Sequence, residues 1–420
     1  MKKSIAALLC LLLCLASLGG CVTEDPMPTQ PETGTNATAN LTPIPAPAQQ
    51  FAAPAEGADD FAFRLSRALL QNAGKGNFVS SPLSVWLPLA ALVNGTDAAH
   101  MPALLDALGA AGFTGQDINA AAALLLRGAG ERNNPLQIAN AIFVGKDQKL
   151  NKNFKRIFEE SFQGSAQSVD FASPSAVKTV NNWARKHTDG LIKEIIQEFD
   201  PDTVAAIANA IYFSDRWSWE FNADLTEKDT FHGAQGETQA FFMLREGEGQ
   251  PYYEDGRLQA TSLEFMTGGA LHILLPKDGD AVALLSGMTA DDFVGIRENT
   301  ARAKGKLLLP RFKLDSGVMK LIPALRALGV PLFDAGDAAL NGVLENSFPL
   351  YISEAVQKAV IEVDEKGTTA AAVTVMDMKA GSMPPPPAAE TFTMVCDKPF
   401  VFVLCGGNGQ ILFTGVVNQI

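Results

Sequence analysis

Few residues in this chain are placed to do chemistry. Its four histidines, His100, His187, His232 and His272, are scattered with none close to another, which gives little basis for a histidine-built metal site or a histidine general base. There is no G-x-S-x-G elbow, no H-E-x-x-H, no phosphate-binding G-x-x-x-x-G-K-[ST] and no C-x-x-C pair. Gly247-Glu248-Gly249 opens like a dinucleotide fingerprint, but it lacks the third glycine and reads as part of an acidic loop. A serine hydrolase stays open as an alternative, because the members of a Ser-His-Asp triad need not be neighbours in sequence. Otherwise the chain reads as a non-enzyme with no cofactor and no metal. Of its five cysteines, Cys10, Cys14 and Cys21 belong to the N-terminal leader. Cys396 and Cys405 lie in one strand-like stretch, about 30 Å apart if extended, too far for a disulfide, so two buried free thiols are expected.

The segment that stands out is chemically passive. Residues 365 to 387, EKGTTAAAVTVMDMKAGSMPPPP, are small and β-branched residues running into four prolines. As a strand, one face would carry Thr368, Ala370, Ala372, Thr374, Met376 and Met378 without a charge, while Asp377 and Lys379 fall on the other. Such a strand could enter the middle of a sheet. Pro384 to Pro387 could not follow it, because proline donates nothing to a ladder.

The elements around this segment mix without a regular βαβ alternation, which favours α+β. Phe61, Leu65, Ala68 and Leu69 have helical spacing. Asn77-Phe78-Val79 reads as a short strand, and Ser81-Pro82 sets a capping hydroxyl before a first-turn proline, predicting a helix to Val93. Leu136 to Val144 and Val204 to Phe213 are almost continuously apolar and read as strands covered on both faces, each carrying one asparagine, Asn140 or Asn209, that must find partners in the core. Helices are expected over 153–162, 175–187, 291–298 and 318–328. Strands are expected over 257–265, 270–275, 306–314, 358–363, 400–404 and 411–417, the last two joined by a hairpin at Gly406 to Gly409.

Charge and the N-terminus bear on location. With 33 Lys and Arg against 46 Asp and Glu, the formal net charge is −13, and no basic run interrupts it, which argues against a nucleic-acid partner. Lys2 and Lys3 precede an apolar run from Ile5 to Leu18, the length of a signal-peptide core, so residues 1–20 are read as an export signal. The run ends in Leu18-Gly19-Gly20-Cys21, which resembles the lipobox of prokaryotic lipoproteins and implies a lipid-modified Cys21. An ordinary secretory signal is the alternative. Residues 21–56 then form a proline-rich tether with too little apolar surface to fold. Asn36, Asn40 and Asn94 head sequons that exported chains can have glycosylated.

A family resemblance begins at Glu365-Lys366-Gly367-Thr368-Thr369-Ala370-Ala371-Ala372, which resembles the hinge of the reactive-centre loop of serpins, the suicide protease inhibitors. The run from Asn77 to Asn94, the strand Leu136 to Phe143, and Val204 to Phe221 with Asn209, Phe213, Trp217 and Phe221 resemble family segments in family order. Leu309-Pro310-Arg311-Phe312, Leu350-Tyr351-Ile352-Ser353 and Asp397-Lys398-Pro399-Phe400 do so as well.

The resemblance implies the serpin fold over 57–420: one domain, three β-sheets, eight to nine helices, and an exposed reactive-centre loop at about 365–387. It implies a monomeric, irreversible inhibitor of serine, or alternatively cysteine, proteases, tethered to a membrane or otherwise secreted. Thr368 would be the first residue buried as the loop enters the main sheet, where a charge would be costly. Thr369 often has glutamate in its place, facing outward. Ser81, Ser84 and Asn209 match a polar cluster beneath the opening of the sheet, with Gln357 where the family usually has histidine. Glu365 and Arg311 match a charge pair near Trp217 at the top of the sheet. Counting seventeen residues from Glu365, the usual family length, puts the reactive bond between Gly381 and Ser382, which suits subtilisin-like or elastase-like targets. Lys379 would point to trypsin-like targets and Met383 to chymotrypsin-like or elastase-like ones. A serpin-fold binding protein cleaved as an ordinary substrate is the further alternative.

Overall fold

The computed structural model describes residues 52–71, 74–127, 135–188, 190, 192–200, 202–334, 339–345, 350–368 and 391–420. A nine-stranded sheet runs in the order Phe78–Ser80, Ile411–Val417, Phe400–Cys405, Ala270–Pro276, Leu258–Glu264, Gly236–Glu254, Ala301–Pro310 and Thr391–Val395, with Glu227–Gly233 paired to Gly236–Glu254 off that path. Two smaller sheets matter more for function. One holds Gly164–Val169, Leu136–Gly145 and Ala205–Phe213; the other holds Phe312–Asp315, Val360–Val363, Gly367–Thr368 and Asp215–Arg216, in those spatial orders. Ala205–Phe213 runs through Ser214 directly into Asp215–Arg216, so the two sheets share one run of chain and are read as halves of a divided sheet. Nine α-helices are present among the described residues, and the fold is α+β as expected.

Local sequence explains the helices that frame the divided sheet. Pro82 occupies the first turn of helix Pro82–Leu92 after Ser81, and nearly every side of that helix is buried, as its lack of a polar face requires. In helix Lys152–Phe162 the Asn151 side chain caps the N-terminus by accepting from the Asn153 and Phe154 amides. Phe154, Phe158 and Phe162 form its buried stripe at a spacing of four. The Phe162 carbonyl at its end receives the Asn140 amide, 2.7 Å away.

Several sequence expectations need correction. The strand expected over 306–314 is two, Ala301–Pro310 and Phe312–Asp315, lying in different sheets. Pro310 ends the first ladder, having no N–H to carry it on, and the Arg311 amide turns to the Phe241 carbonyl at 2.8 Å. The helix expected over 318–328 is only Ile322–Ala327, because Pro323 fits a first turn and not a helix interior; Met319–Lys320 pairs instead with Val356–Gln357. Gly247 to Gly249 is no loop but part of the 19-residue strand Gly236–Glu254, opposite a register shift at Ala303/Gly305. Cys396 and Cys405 are free and buried, on separate segments of the chain; burial pushes the Cys405 thiol up to about 12 and raises Cys396 too, which makes neither a ready nucleophile.

Candidate functional site

The described part of the loop hinge is a strand. Thr368 lies opposite Val363 on one side and opposite Asp215 on the other, and Gly367 lies opposite Arg216, antiparallel in both directions. The pair therefore bridges one end of the divided sheet, which is taken as its top. Below it, Ala205–Phe213 and Val360–Val363 share no ladder among the described residues. Thr368 is 1% exposed, and its hydroxyl has no partner among the described residues. Gly367 must be glycine, since a Cβ there would overlap the Asp215 carbonyl.

A turn and a clasp hold this hinge strand. Asp364 builds the turn by accepting from the Lys366 and Gly367 amides at 2.8 and 3.2 Å. The segment from Trp217 to Phe221 grips the turn from outside: the Trp217 amide donates to the Lys366 carbonyl at 2.8 Å, the Trp217 Nε1 to the Asp364 carbonyl at 2.9 Å, and the Phe221 amide to the Glu365 carbonyl at 2.9 Å. Trp217 is buried and stacks on Phe265, centroids 4.7 Å apart. Sequence reading placed Trp217 at the top of the sheet, and there it supplies two of the three bonds.

Glu365 adds a charge to the clasp. Its Oε1 accepts from Arg311 Nε at 2.8 Å and from the Thr226 hydroxyl at 2.6 Å. Burial opposes the carboxylate, but the bonds from Arg311 and Thr226 outweigh it and hold Glu365 below the usual glutamate range. Arg311 sits at the corner where its strand leaves one sheet for the other, and it also lies over the Phe241 ring at 5.4 Å. Thr226 was missed from the sequence; nothing local marks it.

The polar cluster expected beneath the opening is not one cluster. Gln357 is met by the Ser80 hydroxyl at 2.8 Å and the Ser81 amide at 3.2 Å, and it donates to the Ser81 carbonyl at 2.6 Å. The Ser81 hydroxyl goes to the Leu412 carbonyl. Asn209 does not join them: the antiparallel register sets it opposite Asn140, whose Oδ1 accepts its amide at 2.8 Å. Ser84 contributes its backbone amide to the Ser81 carbonyl and is only partly buried. Ser80, not singled out before, could have been found as a polar residue within a short buried strand, where a partner is obligatory.

Asn94 is no open glycan acceptor. Its side chain is part-buried and forms a reciprocal pair with Asn119, at 2.8 and 2.9 Å. Thr369, Ala370, Ala371, Ala372, Lys379, Gly381, Ser382 and Met383 lie outside the described residues, as do Cys21, Asn36 and Asn40.

Comparison with known proteins gives this arrangement its class. Residues 56–420 match the serpin (serine protease inhibitor) family, and the chain belongs to it. Rat alpha-1-antiproteinase is 31% identical over 366 residues, covering 85% of this chain and 87% of the relative. The solved structure of tengpin, a thermophilic serpin in the native state, aligns with a TM-score of 0.77 at 25% identity, covering 87% of this chain and 94% of that one. Human thyroxine-binding globulin aligns with a TM-score of 0.77 at 22% identity, covering 88% of this chain and 99% of that one, and shows the fold alone. Kinship with alpha-1-antiproteinase and its relatives supports protease inhibition, and a role as inhibitor rather than catalyst.

Proposed function

We propose that this serpin is an irreversible suicide inhibitor of serine proteases, working by loop cleavage, acyl-enzyme trapping and insertion of the loop as a strand. The observation that carries the reading is Thr368, uncharged and 1% exposed, already seated between Asp215 and Val363 where the halves of the sheet are bridged. Cleavage between Gly381 and Ser382 would leave the segment ending in Gly381 esterified to the protease serine. Residues beyond Thr368 would then add to the hinge strand one by one. About 15 residues at ~3.3 Å each carry the acyl-enzyme about 50 Å. That displacement spoils a protease site whose triad and oxyanion hole need close alignment. Small residues from Ala370 to Ala372 keep the first steps free of charge burial.

Gly381 between Ala380 and Ser382 suits a shallow, small-residue pocket, so subtilisin-like and elastase-like proteases are the proposed targets. Trypsin-like enzymes cutting after Lys379 come next, and Pro384 disfavours cleavage after Met383. Export by residues 1–20 and acylation of Cys21 would hold the domain at a membrane surface, with the residues between Cys21 and the first helix giving reach; that helix, Ala52–Leu70, takes in the last five residues expected of the tether, and Ala55 packs on the core. No described helix is long and apolar enough to cross a membrane itself.

Incubation with subtilisin and elastase, followed by an SDS gel, tests the reading. An inhibitor gives an SDS-resistant adduct whose released C-terminal peptide begins at Ser382. A chain merely clipped, as a substrate-like binding protein would be, contradicts it. Replacing Cys21 with serine should move the protein into the aqueous fraction, and equal membrane retention of both forms would remove the anchor.

A further inference from the structure

The segment that grips the hinge is itself seated on strand Gly236–Glu254. Arg245 of that strand is 7% exposed. One end of its guanidinium donates to the Trp219 carbonyl, and the group lies 4.4 Å from the Phe221 ring centroid and 5.5 Å from that of Trp219. Two residues further along, Gly247 leaves room for the Trp219 ring, since a Cβ there would come within 2.8 Å of it. The start of the gripping segment is tied to a neighbouring strand, Leu258–Glu264, where the Ser218 amide donates to the Glu264 carbonyl at 2.8 Å.

Arginine is a costly way to fill the space under two rings. Burial lowers Arg245 to about 10 against the attraction of Glu264, which leaves it charged at neutral pH. Its Nε is buried with no partner among the described residues, and the ring faces recover only part of the desolvation. A methionine would fill a similar volume without burying a charge. It could not donate to the Trp219 carbonyl or draw both rings to one cation. What arginine adds is therefore the position of the segment, whose Trp217 and Phe221 amides hold the Lys366 and Glu365 carbonyls at 2.8 and 2.9 Å.

We propose that Arg245 is a positioning residue for loop insertion: by fixing Trp219 and Phe221 it keeps the clasp closed on the hinge turn, and so keeps Thr368 seated as the first rung on which the cleaved loop builds. The proposal rests on the inhibitory reading above. Gly367–Thr368 is a strand of only two residues, so a loosened clasp lets it leave its seat. Insertion then starts later, and hydrolysis of the acyl-enzyme gains on it. Once the full strand is in place its whole ladder holds the hinge, so Arg245 matters before cleavage and little afterwards.

Hydrogen exchange of the intact full chain tests the positioning without a protease, and titration against subtilisin and elastase tests its consequence. Loss of one charged hydrogen bond shifts a closed-to-open ratio about tenfold, so Arg245→Met should speed exchange of the Trp217 and Phe221 amides by that factor. Exchange elsewhere and the melting temperature of the cleaved form should not change, while the stoichiometry of inhibition should rise. Arg245→Lys, which keeps the charge and a donor, should recover part of both effects. Faster exchange throughout the chain with an equal loss of stability in the cleaved form would mark a mere packing residue and overturn the proposal. Unchanged exchange at the two amides would overturn it too, and would leave the inhibitory reading standing. A wild type that forms no adduct overturns that reading and the role in insertion with it, whatever the exchange shows. Should Arg245→Met fail to fold, Trp219→Ala, at a ring that is half exposed, should move exchange and stoichiometry in the same direction, and no change in either measurement would contradict the assignment.

Discussion

The top of the divided sheet and the polar contacts lower down are built in opposite ways. At the top, bonds cross from one structural unit to another: Gly367–Thr368 pairs with both halves, Trp217 and Phe221 reach the turn, and Arg311 and Thr226 meet Glu365. Lower down, the polar groups are met within separate neighbourhoods. Gln357 satisfies Ser80 and Ser81 beside the nine-stranded sheet, while Asn209 donates to Asn140, Asn140 donates to the Phe162 carbonyl, and the Asn209 Oδ1 has no partner among the described residues. Among the described residues none of these hydrogen bonds joins Ala205–Phe213 to Val360–Val363, so parting the halves there breaks none of them. Under the proposed insertion the sheet is held by its upper clasp, with none of these polar contacts between the halves below it, and control of insertion falls to the hinge.

The largest effect expected from this contrast is at Thr368. Sequence reading expects Thr368 to be buried first as the loop enters, but it already fills its seat between Asp215 and Val363. In Thr368→Arg the charge would therefore have to be desolvated there from the start, at a cost of several kcal/mol, and the hinge strand would be held out of the sheet. The variant should fold and be cut, yet behave as a substrate, with the stoichiometry of inhibition rising many-fold in a titration of active protease. An unchanged stoichiometry would remove the hinge from control.

Gln357→Leu sharpens the same comparison from below. It strands the Ser80 hydroxyl and the Ser81 backbone groups, and should cost about 1–3 kcal/mol for those left unsatisfied. Because these contacts join the edge of the nine-stranded sheet to the Val356–Gln357 strand and belong to neither half of the divided sheet, intact and cleaved forms should lose the same stability in denaturant melts, with the stoichiometry unmoved. A loss confined to the intact form would show that Gln357 restrains opening.

The smallest effect belongs to the charge pair of the clasp. Glu365 is held below its ordinary range, so its contribution is present above that range and fades as pH falls through the lowered value. Arg311 is 43% exposed in its side chain, and solvent screening keeps the contribution to about 1 kcal/mol or less. Stability should fall gently on acidification below about pH 4.5, a limb Glu365→Gln should flatten. An identical acid limb in both proteins would assign it to other carboxylates.

What could be read from sequence follows from how far each signal reaches. Leu136 to Val144 and Val204 to Phe213 announced their strands because an unbroken apolar run is a local property, and Thr368 stood out because its neighbours were uniformly small. The partner of Asn209 was misassigned because it depends on the register between strands distant in sequence, and only that register sets Asn140 opposite it. The break at Arg311 was hidden for a related reason: Phe312 to Leu314 continues the alternation of the preceding strand, and only Pro310 hints that the ladder stops.

The central claim is that the chain after Thr368 completes the sheet its hinge has begun. Thermal unfolding of the protein before and after a single cut in the reactive-centre loop addresses it most directly. The cleaved protein should melt at a clearly higher temperature than the intact one, having gained a full central strand, and Thr368→Arg should show little of that gain. Intact and cleaved wild type melting together would contradict the account.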